Sequence, residues 1–254
     1  MEGRSLVIQI ERYEVNGLPY LEIVKEELKN KVLPTVFFYH GWTNCKESVL
    51  VNGYEVAQQN IRAIIPDAMF HGERSDGQPI TEHFDDFANI VMASIDEFAV
   101  LMEDLVNRKV TDKDRIGVTG LSMGGITTCG IMATYPEVKA GDCLMGAPNF
   151  HDFVEMVAKE AFELEELPKE LATDFLRMKE YDLSLKPEVI NSRAFHFWHG
   201  LKDDMVPYQP TFDFYEEHRD RPYGKQMSFN TTNDGHRVPY SITLEMASFF
   251  ANVL

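Results

Sequence analysis

Ser122 stands in Gly120-Leu121-Ser122-Met123-Gly124, a GxSxG pentapeptide with a further glycine, Gly125, behind it. The run passes from apolar strand (RIGVTG) to apolar helix (ITTCGIMATY). A hydroxyl without bulky neighbours at such a junction fits a nucleophile held on a tight strand-to-helix turn. A glycine-rich turn with a helix-capping serine fits the same residues. The rest of the chain distinguishes them, because a serine at its free pKa is a weak nucleophile and needs a base oriented by a carboxylate. On this kind of turn the expected chain order is serine, acid, histidine. The stretch FHFWHGLKDDMVP sets Asp203 and Asp204 straight after an apolar strand, and NTTNDGHRVP sets His236 between the last strand and the last helix. Asp203, which opens D-x-x-V-P, is favoured over Asp204 as the acid. Ser122, Asp203 and His236 together would carry acyl transfer through a covalent serine intermediate. That chemistry also needs backbone N–H donors for an oxyanion. The amide of Met123, just after the serine, is one candidate, and the amide of Trp42, after the turn His40-Gly41, is the other.

The elements that must position these residues read as an alternation of strands and helices, which predicts an α/β fold with a mainly parallel sheet of about eight strands flanked by helices. SLVIQIERYEV and LPYLEIVKEE flank the turn signal Asn16-Gly17 and predict an antiparallel pair. LPTVFFYHGW, IRAIIPDA, RIGVTG, VKAGDCLMGA, RAFHFWHG and QMSFNTT are short apolar runs and predict buried strands. Thr111 and Asp112 predict a turn. SVLVNGYEVAQQN, the three- and four-residue spacing from Phe84 to Val106, and VPYSITLEMASFFANVL predict helices. Residues 150–190 break the rhythm. They predict a small helical lid over the carboxyl edge of the sheet, where ligands bind in such folds, within a single domain spanning 1–254.

A formal net charge of −17 repels phosphate backbones and anionic membranes, which argues against nucleic-acid and membrane partners. Three widely spaced cysteines without a CxxC pattern predict reduced thiols in a cytoplasmic protein. No signal peptide and no membrane span are expected. His71, Glu73 and Asp76 lack the spacing of a metal motif, so no metal or cofactor is expected. His71 reads as a loop hydrogen-bonder near the site, while His196 and His199 read as structural. His40, Gly41, His71 and Phe153 are the candidates for lining a substrate pocket.

Taken together, FYHGWT, PDAMFHGER, GVTGLSMGG, WHGLKDDMVP and DGHRV resemble the α/β-hydrolase superfamily. More narrowly, the chain is similar to small bacterial carboxylesterases built as a free-standing prolyl-oligopeptidase-type catalytic domain, near the dienelactone-hydrolase-like and cinnamoyl-esterase-like enzymes. The resemblance covers most of the chain. It implies Ser122 as nucleophile, Asp203 as acid, His236 as base, and the amides of Trp42 and Met123 as oxyanion donors. A serine at the nucleophile position separates the chain from relatives that use cysteine or aspartate there. No propeller-length N-terminal region that would gate short peptides is expected. The resemblance therefore implies a hydrolase of small or short-acyl esters, with a small-molecule ester as partner. A serine peptidase or thioesterase using the same triad, and a non-catalytic binding protein on the same scaffold, are the alternatives.

Overall fold

The computed structural model describes residues 7–161 and 172–254. Eight strands form one sheet: β1 Ile8–Val15, β2 Leu18–Lys25, β3 Leu33–Tyr39, β4 Arg62–Pro66, β5 Thr111–Leu121, β6 Ala140–Leu144, β7 Ala194–Gly200 and β8 Met227–Thr232. Their order is β1-β2-β4-β3-β5-β6-β7-β8. Pairing is parallel from β4 through to β8, and β2 runs antiparallel to both its neighbours. The β1–β2 hairpin closes at Asn16 and Gly17, both with positive φ (51° and 78°), as a two-residue primed turn requires.

Period-two alternation sends the strand side chains into two cores. Phe37, Tyr39, Val118, Cys143 and Phe197 pack with α2 (Phe87–Asn107) and α3 (Met123–Thr134) on one face. Val36, Phe38, Leu144 and Trp198 pack with α1 (Leu50–Gln58) and α7 (Tyr240–Val253) on the other. Every residue of α3 from Met123 to Ala133 is buried, so this helix is apolar on all sides, as one walled in by sheet and neighbouring helices must be. Among the described residues between β6 and β7 lie α4 (Phe150–Ala161), α5 (Ala172–Tyr181) and two short 3-10 turns. This matches the helical reading of 150–190, of which 162–171 fall outside the described residues. Phe150 and Met178 from this segment are core, whereas Met156 and Leu176 face solvent.

Two elements depart from the expected pattern. β5 begins at Thr111 rather than after a turn, because the pairing with β3 jumps from Leu33↔Thr111 to Thr35↔Ile116. The local turn at Asp112, whose carboxylate accepts from Asp114 N at 3.0 Å, is absorbed as an irregularity inside the strand. Helix α6, Tyr208–His218, is not signalled by periodicity and contains Pro210. The proline sits in the first turn, where an amide has no acceptor one turn back and none is lost.

Candidate active site

The sheet delivers the three candidate residues to its carboxyl edge from three separate strands. β5 ends at Leu121, and Ser122 follows with φ 55° and ψ −117°, outside the helical region, as the residue capping α3. This strained turn needs residues without side chains two positions before and two after the serine. A Cβ on Gly124 would lie 2.0 Å from the carbonyl oxygen of Tyr39, and one on Gly120 would lie 2.4 Å from that of Gly124. The acid loop follows β7, and the histidine loop follows β8. The two are tied by Lys202 N donating to Asp234 O at 2.9 Å.

Ser122 Oγ lies 2.8 Å from His236 Nε2. His236 Nδ1 lies 2.9 and 2.8 Å from the two carboxylate oxygens of Asp203. The network fixes the proton assignment: Nδ1–H donates to the carboxylate, which leaves Nε2 free to accept from the serine. Asp203 Oδ1 also accepts from the amides of Met205 and Val206 at 3.0 and 2.9 Å, and His199 Nε2 stands 3.3 Å from Oδ2. Burial alone would raise the Asp203 pKa. The hydrogen bonds from His199, His236 and the two amides outweigh it and hold the carboxyl well below the usual carboxylate range. Asp204 is exposed, and the carboxylate that meets His236 Nδ1 is that of Asp203.

Across the sheet, β3 pairs with β5 in the register Tyr39↔Gly120, which carries the turn His40-Gly41-Trp42 past Ser122. Among the described residues, neither the Trp42 amide nor the Met123 amide donates to a backbone or side-chain acceptor. Met123 is the first residue of α3, where the helix dipole adds positive potential. The remaining pocket candidates divide. His40 is buried, accepts from Ala68 N at 3.1 Å and contacts Gly41 O at 2.9 Å through its other ring nitrogen. Burial lowers its pKa to about 4, so it stays neutral. His71 is buried against the Trp42 backbone. Phe153, from α4, is half-buried and joins a chain of rings. Trp42 and Phe87 are 5.3 Å apart between centroids, and Phe87 and Phe153 are 6.2 Å apart.

Sequence reasoning missed the support behind these groups. His199 contacts Asp203 from behind. Lys46 is buried with its Nζ 2.5 Å from Asp67, 2.8 Å from Glu73 and 3.0 Å from Glu47. Among the described residues, His151, Asp152 and Glu155 of α4 offer ligand atoms within 4.8 Å of one another that could hold a metal ion. Of the three only Asp152 is exposed, and none of them takes part in the Ser122–His236–Asp203 relay.

A profile of the prolyl oligopeptidase family matches residues 85–253. The Bacillus subtilis (strain 168) protein "Putative esterase YitV" is 37% identical over 98% of this chain and 100% of its own length. "Esterase YjfP" of Escherichia coli (strain K12) is 32% identical over 79% of this chain and 81% of its own. TT1662 from Thermus thermophilus shares the fold with a TM-score of 0.77 at 16% identity, over 97% of this chain and 98% of that one. Extent of match and shared architecture agree: the chain belongs to the prolyl oligopeptidase family and is a serine hydrolase of the α/β-hydrolase superfamily.

Proposed function

We propose that the protein hydrolyses carboxylic esters of small or short acyl groups by way of an acyl-enzyme on Ser122. The observation that carries the reading is the unbroken relay from Ser122 Oγ through His236 to Asp203, with every step under 3 Å. His236 Nε2 takes the hydroxyl proton as Ser122 Oγ bonds to the ester carbonyl carbon. The resulting oxyanion accepts hydrogen bonds from the Trp42 and Met123 amides. Collapse of the tetrahedral adduct breaks the bond to the alcohol oxygen, which leaves with the proton from His236. A water then attacks the acyl-enzyme, giving its proton to His236, and collapse releases the acid and restores the serine. Asp203 holds the imidazole in the tautomer that can accept and stabilises the imidazolium.

The ring chain Trp42–Phe87–Phe153 supports an apolar wall beside the oxyanion position, with α4 bringing Phe153 down as part of a cap. A short acyl chain or a small ring fits such a wall. The esterase names of the two curated relatives favour oxygen esters. The family match favours a second reading, cleavage of amides by the same groups. Among the described residues no helix is long and apolar enough to cross a membrane. Three unpaired cysteines support a cytoplasmic setting. The test is p-nitrophenol release across acyl chain lengths, beside p-nitroanilide and thioester counterparts, in the native protein and Ser122→Ala. Activity peaking at acetate or butyrate and absent from the variant supports the reading. Anilide or thioester turnover exceeding that of the oxygen esters replaces it.

A further inference from the structure

The turn His40-Gly41-Trp42 follows β3 and rides over the elbow. A Cβ on Gly124 would meet the carbonyl oxygen of His40 at 2.8 Å, and one on Gly41 would meet Leu121 Cδ1 at 2.8 Å and the Leu121 carbonyl oxygen at 3.6 Å. Gly41 therefore lies against the residue that precedes Ser122. The peptide that joins Gly41 to Trp42 is planar and trans, so its N–H points away from its C=O. Whatever holds the Gly41 carbonyl sets the direction of the Trp42 N–H.

Two donors hold that carbonyl. Asn44 N donates to Gly41 O at 3.1 Å, and His40 Nδ1 stands 2.9 Å from the same oxygen. The other ring nitrogen decides where the proton sits. Ala68 N, a backbone donor, reaches His40 Nε2 at 3.1 Å. Nε2 must therefore offer its lone pair, and Nδ1 carries the hydrogen. His40 is 1% exposed. The titratable groups that face its ring are His71, with centroids 5.0 Å apart, and the buried pair of Asp67 and Lys46, 2.5 Å apart. Burial lowers the His40 pKa to about 4 against the opposing pull of the Gly41 bond and Asp67. The ring is thus neutral, and this tautomer in place, at neutral pH.

The two donors differ in kind. Asn44 belongs to the same turn and moves with it. His40 ties the carbonyl, through its ring, to Ala68 in the loop after β4. That loop is anchored in turn, because Asp67 N donates to Pro19 O at 3.2 Å and Asp67 Oδ1 accepts from Lys46 N at 2.8 Å.

We infer that His40 is a positioning residue for the oxyanion hole: its Nδ1–H holds the Gly41 carbonyl, and with it the Trp42 N–H of the same peptide plane, at a fixed angle to the elbow. The inference rests on the reading of Trp42 and Ser122 given above. With the bond from His40 lost, the plane can tilt and carry its N–H off the oxyanion. Such donors must stay within about 0.5 Å of their working position.

His40→Asn and His40→Gln separate the two bonds of the ring. Asparagine places an NH2 where Nδ1 stands and keeps the bond to Gly41 O, but leaves Ala68 N without an acceptor. Glutamine reaches the place of Nε2 and accepts from Ala68 N, but has no donor at the place of Nδ1. Each variant loses one bond, so both should melt a few degrees below the native protein. Loss of one oxyanion donor costs about a hundredfold or more in kcat. His40→Gln should therefore lose about a hundredfold in kcat with KM within about threefold, while His40→Asn keeps kcat within about tenfold of native. A trifluoromethyl ketone, whose adduct with Ser122 places charge in the oxyanion hole, should bind His40→Gln more weakly by the same factor as kcat/KM falls. Native-like kcat in His40→Gln overturns the inference, as does unchanged ketone affinity, or kcat losses in the two variants that follow their melting temperatures instead of the Gly41 bond. The native protein supplies a measurement that does not depend on how the variants fold. Long-range proton–nitrogen correlation spectra of the histidine-labelled protein should show His40 with its hydrogen on Nδ1, and a hydrogen on Nε2 instead overturns the inference. Ser122→Ala run alongside separates the two layers. Retained turnover there overturns the serine reading and this inference with it. A dead Ser122→Ala beside a native-like His40→Gln overturns this inference alone.

Discussion

Asp203→Asn is the substitution whose outcome the geometry fixes most tightly. Oδ1 of Asp203 accepts two backbone N–H groups, from Met205 at 3.0 Å and Val206 at 2.9 Å. An asparagine must keep its carbonyl oxygen on those donors, so its NH2 falls where Oδ2 now stands, 2.8 Å from His236 Nδ1. An NH2 cannot accept. The asparagine oxygen would stand 2.9 Å from Nδ1 but already accepts from two amides, whereas the NH2 donates to Nδ1 from the nearer site; His236 would then carry its proton on Nε2, pointing at Ser122 Oγ, which is the wrong tautomer for a general base. In the serine-protease template this error costs about 10⁴ in kcat, or about 5 kcal/mol of transition-state stabilisation. The NH2 would also face the Nε2 of His199, now 3.3 Å from Oδ2, donor against donor. Asp204→Asn touches nothing in the relay and should stay within about twofold of native, as surface substitutions usually do. The assay is kcat and KM for p-nitrophenyl acetate, with far-ultraviolet circular dichroism to verify folding. A folded Asp203→Asn within tenfold of native, or a collapse in Asp204→Asn instead, refutes the assignment of the acid.

Three further outcomes follow from particular contacts. Gly124→Ala forces a Cβ to 2.0 Å from the Tyr39 carbonyl; overpacking of this kind costs about 3 kcal/mol, so its melting temperature should fall by several degrees together with activity, and an unshifted melt contradicts the elbow geometry. His196, buried between Asp142 of β6 and Glu245 of α7, has a pKa lowered by burial but raised overall by those two carboxylates. Its folded pKa exceeds the unfolded value of about 6.5, so its contribution to stability is complete below that pH and is lost as pH climbs through the folded value; the melting-temperature gap between native and His196→Gln should shrink from pH 6 to pH 9, and a gap that widens refutes the pairing. Cys129 and Cys143 are buried and burial pushes the Cys129 thiol up, whereas Cys45 is half-buried. A thiol reagent should therefore label Cys45 first in the native protein, and mass mapping of an early adduct to Cys129 contradicts this.

The sequence made the relay legible because each member sits at a change of pattern that survives without coordinates. Ser122 stands between glycines at a strand-to-helix switch, Asp203 follows an apolar strand, and His236 precedes the terminal helix. The hairpin at Asn16-Gly17 was equally plain, since those two residues tolerate the positive φ the turn needs. What stayed hidden depends on contacts between distant segments. Helix α6 is short and mixed in character, with Pro210 reading as a breaker. Lys46 and Asp67, 21 residues apart, carry no mutual signal until β3 and β4 lie side by side. His199 reads as an ordinary strand residue, because its contact with Asp203 exists only after the chain turns at Gly200. The choice between Asp203 and Asp204 needed the fold, since only one of two adjacent carboxylates can face inward from the loop.

The central claim is that Ser122 is the nucleophile. Its most direct test is to treat the native protein and Ser122→Ala with a fluorophosphonate and locate the adduct by peptide mass spectrometry while following ester turnover. The account predicts one adduct, on Ser122, formed in step with loss of activity, and an Ser122→Ala protein that is folded, unlabelled and inactive. An adduct on another residue with turnover abolished, or steady turnover in Ser122→Ala, would contradict it.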